Sequence, residues 1–407
     1  MSFSFKSVSQ EVKAGPIFGD LTTNSVKFWC YFSDIDSGNI EVTNKDGFYQ
    51  KSSFNEFLFY RPTQNFVVNG LSPNKSYTLT INLFKNGQQS DSTFQFKTLS
   101  QDTSSFSFVT GSCAFISTNI DRIFDTKKKN RKVFTSMLNE NPEFMLWLGD
   151  NIYYLHEYKS IKRMVKKMLK VRQTKELKAF LENVVQYATW DDHDFGPNNA
   201  GNSYKRKEQS ELIFENSWPN AFNEDEGLYF DFYYQDIHII MLDVRYFYDD
   251  THVIGTNQMN WLKQKLSSST GSFKFVCTGT QFLNNGSIHE SWKNNNGNER
   301  QELLDFIVEN EIQNTVFLSG DRHFAELSKY EEDSVIIHDL TTSPLTAFKQ
   351  YLRKREVNTN NVPNTYYHKH NYAKVQIKGE TGKRECILSL HDVDGRKIWD
   401  YTINQRK

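Results

Sequence analysis

The 407-residue sequence has no run of about 20 apolar residues, the length that a membrane-spanning helix needs. Its four cysteines are widely spaced and form no CxxC pair, which argues against a zinc ribbon or a thioredoxin-type motif. A formal net charge of −1 gives no signature of a nucleic-acid-binding protein. What the chain does have is aromatic residues, with 33 Phe, 20 Tyr and 7 Trp, enough for a large core rich in sheet.

The opening stretch, MSFSFKSVSQEVKAGP, carries no hydrophobic segment, twin-arginine pair or lipidation cysteine. We therefore expect either a cytoplasmic protein or a periplasmic or secreted one whose export signal has been removed. We also expect a monomer.

The strand pattern divides the chain near residue 100. Residues 1–100 contain short strand-like runs about ten residues apart, which predicts a small all-β sandwich domain. The stretch LSPNKSY (71–77) resembles the strand-to-strand corner of fibronectin type III domains, with Tyr77 tying down the loop.

Residues 101–407 alternate strand-like and helical stretches, which predicts an α/β domain. The helices are expected near 131–140, 159–184, 206–216, 256–267 and 299–311. NNNGNE (294–299) is predicted to be a solvated loop, and DVDG (392–395) a hairpin turn. The basic stretches 125–132 and 159–173 are each interpreted as a solvated helix face, or as a positive field that attracts an anionic substrate.

Polar residues gather directly after five of the apolar strands of the second domain. A single Asp in such a position can simply cap a helix. Five strands that end in this way indicate instead a ligand site, since ligands bind beyond the carboxyl ends of strands in α/β sheets. The residues are Cys113, Asp150, Tyr153, Asp191, Asp192, His193, Asp194, Arg245, Asp321 and His323.

Several carboxylates in one crevice predict bound metal ions, because unpaired buried carboxylates are costly. Asp and Asn favour hard cations, whereas thiolate, phenolate and imidazole favour iron or zinc. The mixed set indicates two or more unlike metals that share a bridging carboxylate, with Asp150 as the candidate bridge.

Taken in order, GSC (111–113), GDNIYY (149–154), WDDHDFGPNNA (190–200), LDVRYFY (242–248), SGDRH (319–323) and NYAKVQI (371–377) resemble the motifs of the alkaline phosphatase D (PhoD-like) family of metallophosphatases. The resemblance implies a metallophosphoesterase fold, a double β-sheet sandwich flanked by helices, preceded by a small fibronectin-III-like domain. It also implies Fe³⁺ with Ca²⁺, and leaves open other divalent metals.

The resemblance also assigns roles to residues. Cys113 and Tyr153 would ligate iron, and Asp150 would bridge to calcium. Asp192 and Asn198 would lie near the second metal or the phosphate, and Asp321 and His323 would complete the metal set.

From the residues themselves, His193 is interpreted as a proton donor or phosphate contact, with a pKa raised by neighbouring carboxylates, or as a structural partner of Asp191 or Asp194. Arg245 is predicted to bind phosphate, or to pair with Asp243.

The expected reaction is hydrolysis of phosphate monoesters, and of diesters in some cases, by a metal-activated hydroxide with release of phosphate. Asp192, His193 and Arg245 are the predicted catalytic residues, and Asn198, His193 and Arg245 are predicted to bind substrate. A phosphodiesterase or phospholipase D-like hydrolase is the alternative enzyme. A non-catalytic binding protein stabilised by metals is the alternative from another class.

Overall fold

A computed structural model of the chain describes residues 10–57, 62–100, 102–117, 128–223, 225–352 and 356–406. The start of the chain at 1–9, and residues 125–127 of the first basic stretch, lie outside the described residues. None of the described helices is long and apolar enough to cross a membrane.

The N-terminal region is built from strands, as the sequence predicts. The strands are β1 (Val12–Gly19), β2 (Ser25–Phe32), β3 (Ser37–Thr43), β4 (Tyr49–Phe54), β5 (Thr63–Asn69), β6 (Ser76–Lys85) and β7 (Gln88–Lys97). They form a three-stranded sheet, β1-β2-β5, and a four-stranded sheet, β4-β3-β6-β7. The buried hydroxyl of Tyr77 accepts a hydrogen bond of 2.8 Å from the backbone of Ser72, the contact expected for the corner. A domain boundary at residue 100 stays a prediction.

The rest of the chain forms two six-stranded sheets. The first has the order β10-β9-β8-β17-β18-β19 and the second the order β11-β12-β13-β14-β16-β15. The strands of the first are β8 (Phe106–Gly111), β9 (Phe144–Leu148), β10 (Val185–Thr189), β17 (Asn371–Lys378), β18 (Glu385–Asp392) and β19 (Lys397–Asn404). Those of the second are β11 (Phe230–Tyr234), β12 (Ile237–Met241), β13 (Phe273–Thr278), β14 (Thr315–Ser319), β15 (Glu326–Glu332) and β16 (Val335–Thr341).

The central strands are buried on both faces. All five residues of β9, FMLWL, are buried, the pattern of a parallel strand covered on both sides. One face of the first sheet meets one face of the second sheet in a shared core that includes Phe108, Leu146 and Phe275.

The helices cover the outer faces of the two sheets. They are α1 (Lys132–Asn139), α2 (Ile161–Arg172), α3 (Lys175–Asn183), α4 (Asp192–Phe195), α5 (Lys207–Glu215), α6 (Gly255–Ser267) and α7 (Trp292–Glu309). The predicted fold class is confirmed.

Two helix predictions need correction. The single helix expected over 159–184 is two helices, because Thr174 takes an extended backbone conformation and begins α3. The loop expected at 294–299 lies within α7, which is kinked at Asn296. There the side chain of Ser291 accepts a hydrogen bond from the backbone of Asn294, and the buried Trp292 anchors the first turn, so the polar sequence becomes helical.

The basic helix α2 is divided between surface and core. Lys162, Arg163 and Lys166 are exposed, as a solvated face would be. Arg172 instead points inward, with its guanidinium 4.5 Å from the ring of Trp29 and 4.7 Å from that of Trp218. Because Trp29 belongs to β2, this stack joins the N-terminal strands to the larger α/β region.

Candidate metal centre

The polar residues predicted from the sequence meet where the two larger sheets come together. Cys113 follows β8, Asp150 and Tyr153 follow β9, and Asp192 opens α4 just after β10. Asp321 follows β14 in the other sheet. Gly320 allows this approach, because a Cβ there would lie 2.4 Å from the Leu148 carbonyl oxygen.

One group of candidate ligands combines sulfur, oxygen and nitrogen. Ligand atoms of Cys113, Asp150 and His323 lie within 4.8 Å of one another. The Tyr153 hydroxyl lies at the same point, 2.8 Å from Asp150 Oδ2 and 3.1 Å from His323 Nε2. The structure therefore brings together the softer donors that the sequence singled out.

A second group contains Asp150, Asp192 and His193, whose ligand atoms also lie within 4.8 Å of one another. Asp150 belongs to both groups. One carboxylate between two sets of donors is the arrangement that a bridging ligand requires.

The backbone at this centre is unusual. Cys113, Asp150, Asp321 and His323 all have positive φ, between 53° and 65°. Residues with side chains rarely adopt this conformation, and it clusters at functional sites where the surrounding structure enforces it. The positive φ of Asp150 follows that of Gly149, which is +84°, so the chain turns at these two residues.

Burial and mutual repulsion act on the carboxylates of the centre. Burial raises the pKa of the Asp150 carboxyl well above its usual value, and Asp192 and Asp191 add to the shift. Burial likewise raises the pKa of Asp321 to about 7. Among the described residues, Oδ1 of Asp192 is buried without a hydrogen-bond partner. A bound cation would stabilise these carboxylates in their charged form, so the residues fit a metal site.

The neutral donors fit a metal in the same way. Burial, reinforced by Asp150, raises the pKa of the Cys113 thiol and of the Tyr153 phenol well above their usual values. Burial lowers the pKa of His323 to about 4, which keeps its ring neutral and able to ligate. A metal would bind Cys113 and Tyr153 with release of their protons.

His193 differs from its sequence-based interpretation in one respect. Neighbouring carboxylates were expected to raise its pKa, but the pKa is lowered, because burial outweighs the attraction of Asp192. Its ring stacks on that of Tyr153 at 4.2 Å. Asp194, one of its suggested structural partners, instead accepts hydrogen bonds from the backbone of Asn151 and Ile152.

Arg245 is fully buried and its guanidinium is already paired. Nε donates to Asp191 at 2.5 Å, and the two terminal nitrogens donate to Glu290 at 2.9 and 3.1 Å. Asp243, its predicted partner, accepts instead from the backbone N–H of Arg245 at 2.8 Å. A phosphate would have to displace Glu290 to reach this side chain.

Asn198 and Asp321 stand at the margin of the centre. Asn198 is exposed and its side chain donates to Asn199, whose backbone N–H donates to Asp192 at 2.7 Å. Asp321 is in neither ligand group, although its backbone carbonyl lies 3.5 Å from Cys113 Sγ. Glu290 could not be predicted from the sequence, because it lies in a loop with no recognisable motif.

Known proteins resemble this chain in sequence pattern and fold. The model of a family described as PhoD-like phosphatase matches residues 112–393. A solved structure titled as that of PhoD has a TM-score of 0.76 at 17% identity, covering 99% of this chain and 94% of that chain. Purple acid phosphatase PPD1 from yellow lupin (Lupinus luteus) seeds has a TM-score of 0.72 at 13% identity, covering 96% and 74%. At such identities the two structures show likeness of fold alone, and no curated protein matches significantly.

Proposed function

The chain belongs to the PhoD-like phosphatase family, and on that premise we propose that it hydrolyses phosphate monoesters, and diesters as a second class, at the centre around Asp150. It is a metal-dependent phosphoric ester hydrolase. The observation that carries the proposal is the membership of Asp150 in both groups of ligand atoms.

The donor chemistry supports a pair of unlike metals. We assign Fe³⁺ to Cys113, Tyr153 and His323, because thiolate, phenolate and imidazole suit iron. We assign Ca²⁺ to the side of Asp192, because calcium takes oxygen ligands. When bound, such ions polarise phosphoryl oxygens and lower the pKa of a water molecule.

The protein's own groups would hold the substrate and move protons around this centre. Asp150 would connect the two ligand groups, and Asp321 would add charge beside them. Arg245 would act through its ion pair with Asp191, and its positive charge helps to lower the pKa of Asp192 against the effect of burial. Asn198 would contact the phosphate from the exposed side.

For His193 the sequence suggested a proton donor or a phosphate contact. Its distance from Asp150 and Asp192 adds a third role, as a nitrogen ligand, which would favour another divalent metal over Ca²⁺ on this side. Metal analysis of His193→Ala separates these roles, because only the loss of a ligand lowers the metal content along with the activity.

The test is hydrolysis of p-nitrophenyl phosphate and bis(p-nitrophenyl) phosphate by protein reconstituted with iron and calcium. We expect the monoester to be cleaved faster, and Asp150→Asn to lose about 100-fold or more in rate. The exposed Asp400→Asn is the matched control and should keep full activity. Faster cleavage of the diester would favour the phosphodiesterase or phospholipase D-like alternative. No cleavage of any phosphoester would favour a non-catalytic binding protein.

A further inference from the structure

Beside the metal centre lies a row of aromatic side chains, two of them largely exposed, that the proposed chemistry does not use. We propose that this row binds the leaving group of the substrate and selects phosphate esters whose leaving group carries a flat ring, such as the base of a nucleotide. The inference rests on the proposed phosphoesterase function and names the substrate class of that same site.

The row, here called the aromatic shelf, consists of Phe115, Phe348, Tyr351 and His368. It begins at the candidate ligand Tyr153, whose ring meets that of Phe115 edge-on at 5.3 Å. Phe348 follows at 5.6 Å from Phe115. Farther along the same segment, the ring of Tyr351 lies 4.6 Å from that of His368. A leaving group attached to a phosphate at the metal centre would therefore meet aromatic faces.

Two of the four shelf side chains are largely exposed, and Phe115 and His368 are partly buried. Phe348 is 57% exposed and Tyr351 is 65% exposed. Large apolar side chains close together on the surface mark binding sites more often than isolated ones do. A flat ring stacked on Phe348 and Tyr351 would cover these side chains, and stacking of this kind does not depend on which base the ring is.

The shelf is anchored to the residues of the centre. The backbone N–H of Ala347 donates to the Cys113 carbonyl at 3.0 Å, and that of Gln350 donates to the His323 carbonyl at 3.1 Å. Thr346 Oγ1 donates to the Phe115 carbonyl at 2.7 Å. These bonds fix Phe348 relative to the candidate ligands, so little ordering is required on binding.

The charge beside the shelf suits an anionic small molecule. Lys349 and Lys369 lie near His368 and help to lower the pKa of its ring, after the larger effect of desolvation. These two lysines place positive charge beside the aromatic faces, and an anionic ligand complements that charge. A phosphate ester with a ring satisfies both the aromatic faces and the lysines.

The test compares adenosine 5′-monophosphate with ribose 5-phosphate. Both esters release a primary ribose oxygen, so they differ in the base and not in the bond that breaks. We expect kcat/KM to favour adenosine 5′-monophosphate by roughly tenfold or more, the scale of one stacked base. In the double variant Phe348→Ala/Tyr351→Ala this preference should disappear, because the KM for adenosine 5′-monophosphate rises. The kcat/KM for ribose 5-phosphate should stay unchanged.

Two further variants separate stacking from other effects. Phe348→Tyr keeps an aromatic face and should retain the preference, whereas Phe348→Leu should lose most of it. Tyr49→Ala removes a side chain that is 60% exposed on β4, far from the shelf in sequence, and should change kcat/KM for neither substrate.

Equal kcat/KM for the two esters in the wild type, or a preference that survives the double substitution, would overturn the inference and leave the proposed function intact. Failure to hydrolyse either ester would instead count against the proposed function itself. A change of oligomeric state in the double variant, with both substrates affected alike, would identify the shelf as a contact between copies of the chain and would also overturn the inference.

Discussion

The hydroxyl of Tyr153 lies 2.8 Å from Oδ2 of Asp150, three residues earlier in the chain. The two side chains converge because both Gly149 and Asp150 have positive φ, which turns the chain back on itself after β9. Tyr154, the next residue, packs in the hydrophobic core instead. This separation of two neighbouring phenols allows a direct test of the metal assignment.

Tyr153→Phe removes one candidate iron ligand and keeps the ring. We expect the variant to lose the visible phenolate-to-iron absorption of the reconstituted protein and tenfold or more of its activity, the scale of altered metal coordination. Absorption spectra and iron content are the measurements. Tyr154→Phe is the control and should keep both the colour and the activity. Equal spectra for the two variants would contradict the assignment of Tyr153 as a ligand.

Much of the fold could be predicted because its signals are local. Buried strands such as FMLWL and the β-rich first 100 residues are visible in the order of apolar residues. The ends of α2 and the first turn of α7 were missed, because Thr174 and Ser291 act through backbone conformation and capping that periodicity does not report.

The site was predictable to the extent that its residues follow strands. Cys113, Asp150 and Tyr153 could be grouped on that ground, and the structure brings them together. The pairing of Arg245 with Glu290 could not be predicted, because Glu290 reaches Arg245 from a distant loop. The predicted direction of the pKa shift of His193 was wrong, because the burial that lowers this pKa cannot be read from the sequence alone.

Gly149→Ala should disturb the metal centre more than backbone strain alone would. A Cβ at Gly149 would lie 2.5 Å from Cβ of Asp191, and its φ is +84°. Gly87 has a φ of +74° with nothing within 4 Å, so Gly87→Ala measures strain without a clash. We expect a loss of about 1 kcal/mol in unfolding free energy for Gly87→Ala, and a further ~1–3 kcal/mol for Gly149→Ala.

Urea unfolding and metal content check this prediction. Gly149→Ala should also lose metal, because its Cβ pushes on Asp191 and the neighbouring Asp150. Identical stability losses with unchanged metal content in the two variants would show that the close contact at Gly149 is unimportant.

Glu290→Ala should destabilise the protein by about 1.5–3 kcal/mol, because it removes charge-assisted hydrogen bonds from the buried Arg245, which keeps Asp191 as its other anionic partner. Asp394→Ala is the control, since it removes the partner of two exposed side chains, Lys132 and Arg396. Exposed pairs of this kind contribute at most about 1 kcal/mol. Denaturant unfolding provides both values. Similar small losses in both variants would mean that Arg245 does not depend on Glu290.

His338 should make the protein sensitive to mild acid. Burial, with Lys329 and Arg406 nearby, lowers its pKa to about 4 in the folded protein. In the unfolded chain the value is about 6.5. Between these two values the unfolded chain binds a proton that the folded protein does not. Stability contributed by the neutral ring is therefore complete above about pH 6.5 and is lost as the pH falls towards 4.

The measurement is the unfolding free energy of the wild type and of His338→Gln at several pH values. Glutamine cannot be protonated, so the difference between the two proteins should change by up to about 1.4 kcal/mol per pH unit within this window. Effects of other buried groups cancel in that difference, since both proteins contain them. A difference between wild type and His338→Gln that stays constant from pH 7 to 4 would mean that His338 accepts a proton as readily in the folded protein as in the unfolded chain.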